Sequence, residues 1–93
     1  MKIEYDPAKN KRNIKERALS FEKVRDLDWD ETVLTDEDTR SEYPERRFVT
    51  MAFLNGRLHI VCYTPIPGGI RVISFRKANK REVKLYEQKT LNR

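Results

Sequence analysis

The sequence predicts an α+β protein: a small antiparallel β-sheet with two N-terminal helices and one C-terminal helix. Three observations lead there. Residues 46–76 hold runs of β-branched and aromatic residues, broken at Asn55-Gly56 and at a Pro-Gly cluster, which is the pattern of a β-meander. Helix-start signals stand at Asp6-Pro7, Ser20 and Asn79. The length of 93 residues suits one domain over 1–93 with a modest core.

The elements follow in chain order. Lys2–Tyr5 alternates polar and apolar residues, as a short strand does. Asp6 can cap a helix and Pro7 suits its first position, so a helix is expected to run to Arg17 or Ala18. Its apolar positions are few (Ala8, Ile14, Ala18), whereas Lys9, Lys11, Arg12, Lys15 and Arg17 make it strongly basic. Ser20 caps a second, short helix, in which Phe21, Val24 and Leu27 recur every third residue as a core-facing stripe, and Trp29 ends it. Thr32–Leu34 is a candidate strand, and residues 35–46, "TDEDTRSEYPER", read as an exposed loop.

Two strands then flank Asn55-Gly56, a pair that accepts the positive φ angles of a type I′ turn. Pro65–Gly69 forms the next turn and Ile70–Arg76 the last strand. Strict alternation places Arg71 and Arg76 on opposite faces, with Arg76 beside Val72 and Ser74. Asn79 and Glu82 form a capping box for the C-terminal helix, whose Val83, Tyr86 and Thr90 should face the sheet.

Charge narrows the function classes. Residues 36–45 carry one basic and five acidic side chains, whereas residues 46–93 carry eleven basic and two acidic ones. Such asymmetry suits a polyanionic partner, most simply nucleic acid, with a well-solvated surface as the plainer alternative. Cys62 is the single cysteine, so no internal disulfide can form, and cytoplasm is the expected compartment. No segment is apolar and long enough to span a bilayer, and no membrane contact is expected. One histidine and one cysteine cannot build a typical zinc site, and Asp36 and Asp38 lack the rest of a calcium loop. Neither a metal nor a cofactor is expected. His59 reads as structural filler sharing a face with Val61 and Tyr63, and Cys62 as a small core residue on the opposite face with Leu58 and Ile60.

The densest cationic cluster lies where the last strand meets the last helix. There Arg76, Lys77, Lys80 and Arg81 adjoin a helix N-terminus whose amide groups can receive phosphate. For any one of these side chains the ordinary role is an exposed residue with a weak ion pair, and it is the clustering that points to an anion.

"YDPAKNKRNIKERALSFEKV", residues 5–24, resembles the opening of the BrnT family of type II toxins: an aromatic, D-P-x-K, an Asn, a K-H-G or K-R-G element, then S-F-E. Asp6, Pro7, Lys9, Asn13, Ser20, Phe21 and Glu22 match, and Arg17 falls on the His/Arg position. Glu16 replaces the frequent Lys and Ala18 the Gly. "RVISFRKANKREVKLYE" is similar to the family's R-I-I-S-A-R-x-A-x-x-x-E-x-x-x-Y, which aligns Arg71, Ile73, Ser74, Arg76, Ala78, Glu82 and Tyr86. "GRLHIVCYT" fits the family's middle strands, so the resemblance covers nearly the whole chain.

That resemblance implies a RelE-like ribonuclease fold, RNA cleavage that inhibits translation, and neutralisation by a small BrnA-type antitoxin. It also implies contact with operator DNA only through the antitoxin. Exposed strand edges and apolar helix faces leave room for a homodimer within a toxin-antitoxin complex. RNA supplies its own nucleophile, the 2′-hydroxyl, so a metal-independent endoribonuclease needs chiefly preorganised positive charge. The expected catalytic residues are Arg76 and Arg81 on the scissile phosphate and Glu82 and Tyr86 as proton shuttles, with Tyr63 and His59 in reserve. Arg17, Arg47, Lys77 and Lys80 are expected to bind RNA. Glu82 as a helix cap and Tyr86 as core filler are the alternatives. A non-catalytic nucleic-acid-binding module and a basic interaction protein are the competing classes.

Overall fold

The computed structural model describes residues 1–31 and 33–91. Strand β1 (Lys2–Glu4) leads into helix α1 (Pro7–Arg17), and a 3-10 helix (Phe21–Asp26) follows. Then come β2 (Leu34–Glu37), β3 (Phe48–Leu54), β4 (Arg57–Ile66), β5 (Gly69–Lys77) and helix α2 (Lys80–Leu91). The five strands form one sheet in the order β1-β5-β4-β3-β2.

The α+β class and the meander appear as the sequence predicts, with four corrections. The sheet is mixed, because β1 runs parallel to β5. Gly69 makes that pairing feasible, since a Cβ there would lie 1.9 Å from the Lys2 carbonyl oxygen. The second N-terminal helix is a 3-10 helix. Its buried residues Phe21 and Val24, with Leu27 just beyond, recur every third position, and three residues per turn is the 3-10 period.

The third correction concerns β2, which occupies the head of the expected loop. The expected strand began at Thr32, which lies outside the described residues. Only β3 pairs with this edge strand, so charged side chains tolerated by solvent can occupy it, while Thr35 bonds the Thr50 hydroxyl at 2.8 Å. The fourth concerns β4, which continues through Pro65 to Ile66. The register with β3 ends at Tyr63, so the missing proline N–H costs no sheet bond on that side. Asn55 (φ 50°) and Gly56 (φ 78°) form the predicted tight turn.

Each sheet face carries its own core. Leu19, Phe21, Val24 and Leu27 cover one face with Ala52, Val61, Val72 and Phe75. On the other, α2 lays Val83 and Tyr86 over Leu58, Ile60 and Phe53. Helix α1 lies against β5. Its buried Asn13 donates 2.9 Å hydrogen bonds to the Leu19 and Phe75 carbonyls, tying the helix, the chain beyond it and the strand together.

A bulge in β5 decides where the arginines point. Cys62 pairs with Ser74 but Tyr63 pairs with Val72, so Ile73 has no partner of its own. The extra residue shifts the alternation, and Val72 and Phe75 enter the same core. Arg76 therefore leaves Val72's face and joins Ile60, its cross-strand partner, on the face covered by α2. Arg71, opposite Thr64, falls on that face too, which reverses the expected separation of Arg71 from Arg76.

Candidate nucleic-acid interface

Helix α2 covers only part of its sheet face. Register places Met51, Ile60 and Arg76 in one row, and Val49, Cys62 and Ser74 in the next. The second row lies within reach of charges of both signs. The charges of Arg47, Arg40 and Lys9, together with that of Asp38, all act on the Cys62 thiol. Burial first, then Asp38, pushes that thiol above its ordinary range, so Cys62 is an inert member of this row.

Arg76 and Glu82 meet where β5 gives way to α2. Nη1 and Nη2 donate to the two carboxylate oxygens at 2.8 and 2.9 Å, and Nη1 also reaches the Lys77 carbonyl at 3.3 Å. A guanidinium has five N–H donors. The remaining two, on Nε and Nη2, form a side-on fork of the kind that matches a phosphate. The Arg76 side chain keeps 40% of its surface exposed.

Glu82 completes the predicted capping box. It accepts from the Asn79 amide at 2.9 Å, and its own amide donates to the Asn79 side chain at 2.8 Å. The Arg76 hydrogen bonds, and secondarily the Asn79 amide, hold its carboxyl below the usual range. A carboxylate so saturated is a weak proton acceptor and a good orienter of its guanidinium.

Arg47 belongs to a second cluster, at the loop between β2 and β3. Its Nε donates to Glu45 at 3.0 Å, and its guanidinium lies 4.0 Å over the Tyr43 ring. Asp38, with its side chain 2% exposed, receives a bidentate pair from Arg40 at 2.8 and 2.9 Å. The Asp38 amide donates to the Arg47 carbonyl at 2.7 Å and closes the loop.

The other expected site residues are dispersed. Lys77 sits opposite His59, on the sheet face away from Arg76. Lys80 and Arg81 line an outward groove of α2 with Lys84, Leu85 and Gln88. Tyr86 is buried under α2, edge-on to Phe53 at 5.4 Å. His59 is buried beside Phe75 and its Nδ1 lies 2.8 Å from the Arg57 carbonyl oxygen. Burial lowers the imidazole pKa, and the charges of Lys77 and Arg57 add to that, consistent with a neutral structural residue. Arg17 donates to the Asn13 side chain at 2.8 Å, beside a concavity on α1.

Sequence reasoning named Asn13 only as a motif match and gave Lys9, Arg12 and Ser74 no binding role. The i, i+4 spacing of Asn13 and Arg17 was the legible signal. Among the described residues no group of three or more His, Cys, Asp or Glu side chains converges, and no helix is long and apolar enough to cross a membrane.

Comparison with curated proteins gave no match. A family model described as the ribonuclease toxin, BrnT, of type II toxin-antitoxin systems matches residues 5–82. The matched span runs from the end of β1 through the β5-α2 junction and takes in Arg17, Arg47, Arg76 and Glu82. The chain belongs to this family, which implies a protein antitoxin as partner.

Proposed function

From membership in the BrnT family as premise, we propose that this protein is a metal-independent endoribonuclease of RelE-like fold. In this reading it inhibits translation by cleaving RNA in the cytoplasm, and a BrnA-type antitoxin neutralises it. The observation that carries the reading is the Arg76 guanidinium, fixed end-on by Glu82, with its Nε and second Nη2 hydrogens bonded to no acceptor among the described residues.

In the proposed reaction the 2′-oxygen bonds to phosphorus and the 5′-oxygen leaves. The proton lost at 2′ is replaced at 5′, giving a cyclic phosphate and a 5′-hydroxyl. Arg76 offers charge and two directed N–H groups to the phosphoryl oxygens, a preorganised arrangement that water cannot match. Glu82 acts as a positioning residue for Arg76, which is a different role from the proton shuttle expected from sequence. Arg47, held over Tyr43, supplies charge on the far side of Cys62. Arg81, Lys80 and Lys77 lie outside this centre and would serve longer-range attraction of RNA.

Purified protein incubated with RNA in EDTA tests the reading. Cleavage that survives the chelator and disappears in Arg76→Ala is the expected result. Retarded but intact RNA would instead identify a binding module, and absence of RNA affinity a protein-docking surface. Co-purification with the product of a neighbouring short reading frame tests the antitoxin, and sizing of that complex tests a toxin homodimer within it. Operator DNA should bind the complex and not the toxin alone.

A further inference from the structure

Resting on the reading above, we infer a second phosphate subsite between α1 and β5, which holds the RNA phosphodiester adjacent to the one at Arg76. Lys9, Arg12 and Arg17 line a concavity of about 190 Å³ with Asn13, Ile73 and Ser74. No carboxylate lines it, and among the described residues none of these three cations has an ion-pair partner. Five other arginines, Arg25, Arg40, Arg46, Arg47 and Arg76, each have an acidic partner, whereas Arg57, Arg71 and Arg81 have no ion pair among the described residues but do not line this concavity.

The β5 bulge aims the concavity. Ser74 is exposed and stands on the same face as Arg76, two residues along the strand. At about 3.3 Å of rise per residue their backbones are roughly 7 Å apart, which puts the concavity beside Arg76 on β5. Asn13 is a positioning residue here. Its amide is anchored on two backbone carbonyls, so its oxygen is turned toward Arg17 and fixes that guanidinium at the rim. The ligand is a single-stranded RNA phosphodiester, met by two exposed cations, one guanidinium held by Asn13 and a hydroxyl.

Binding of a 2′-O-methyl oligonucleotide, which cannot be cleaved, to the full chain provides the test. Lys9→Gln/Arg12→Gln should weaken binding roughly tenfold and flatten the dependence of log K on log salt by about 0.7, the effect of one lost phosphate contact. Lys11→Gln/Lys15→Gln removes the same charge from the same helix but outside the concavity, and should leave the salt slope almost unchanged. Circular dichroism of both variants verifies that each is folded. Equal losses in the two variants would reduce the subsite to general attraction and overturn the inference while leaving the Arg76 centre intact. A loss confined to duplex DNA would assign the concavity to another ligand. No binding by the unmodified protein would sink both readings together.

Discussion

Glu82 holds the Arg76 guanidinium end-on through hydrogen bonds of 2.8 and 2.9 Å while the Asn79 amide holds Glu82 at 2.9 Å. A helix cap and a cation clamp thus share one carboxylate. The strand-helix junction fixes the direction in which Arg76 points, because the cap defines where Glu82 sits and Glu82 defines where the guanidinium sits.

Arg76→Ala should lower RNA cleavage by about 100-fold or more, the scale for losing a directed donor to a transition state. The side chain is 40% exposed, so the variant should remain folded and retain its antitoxin. Cleavage by a folded Arg76→Ala protein at the original rate would remove Arg76 from the centre. Arg76→Lys separates geometry from charge: it keeps the cation, loses the fork, and should recover little activity.

Acid stability should depend on Asp38. Hydrogen bonds from Arg40 pull its carboxyl from the ordinary 3.8 to about 2. A folded-state value below the unfolded one means that the contribution is complete above about 3.8 and disappears as pH falls toward 2. Urea unfolding of the original protein and of Asp38→Asn should therefore differ at pH 5 and converge near pH 2. A gap of constant size across that range would show that the carboxylate charge is not what stabilises the loop.

Ala18 ends α1 in the left-handed region, at φ 53° and ψ 38°, a conformation that costs a residue with a Cβ about 1 kcal/mol or more. This is the position at which the family pattern places glycine. Ala18→Gly should raise the melting temperature by roughly 5 °C, after allowing for glycine's own entropy cost in the unfolded chain. An unchanged or lower melting temperature would mean that the cap carries no strain.

Asn13→Ala should destabilise by about 2–3 kcal/mol, because it strands two buried carbonyls and opens a small void. Asn13→Asp should be no better, since a carboxylate has no N–H to give to either carbonyl. Chemical denaturation gives both values. A neutral Asn13→Asp would show that water can take over the amide's two bonds.

Much of the molecule could be read from local pattern. Asn55-Gly56 fixed a hairpin because few other residue pairs accept positive φ twice in succession. Asn79 and Glu82 marked a helix start because their spacing satisfies two amide groups reciprocally. The motifs of residues 5–24 and 71–86 led to the family that the comparison bears out.

Tertiary structure decided the rest. A single unpaired residue at position 73 moved Arg76 to the other sheet face, and no alternation rule reveals where a strand will bulge. Charge count could not tell paired cations from unpaired ones: Asp38–Arg40 and Glu45–Arg47 are two residues apart and Arg76–Glu82 six, but whether such neighbours meet depends on how the β2-β3 loop and the β5-α2 junction turn the chain. Chain order alone determined which elements form, since capping and turn chemistry act over a few residues. Which way each guanidinium points depended on the β5 bulge and on the turn of the chain at the strand-helix junction, which pairing across the sheet sets and local pattern does not reveal.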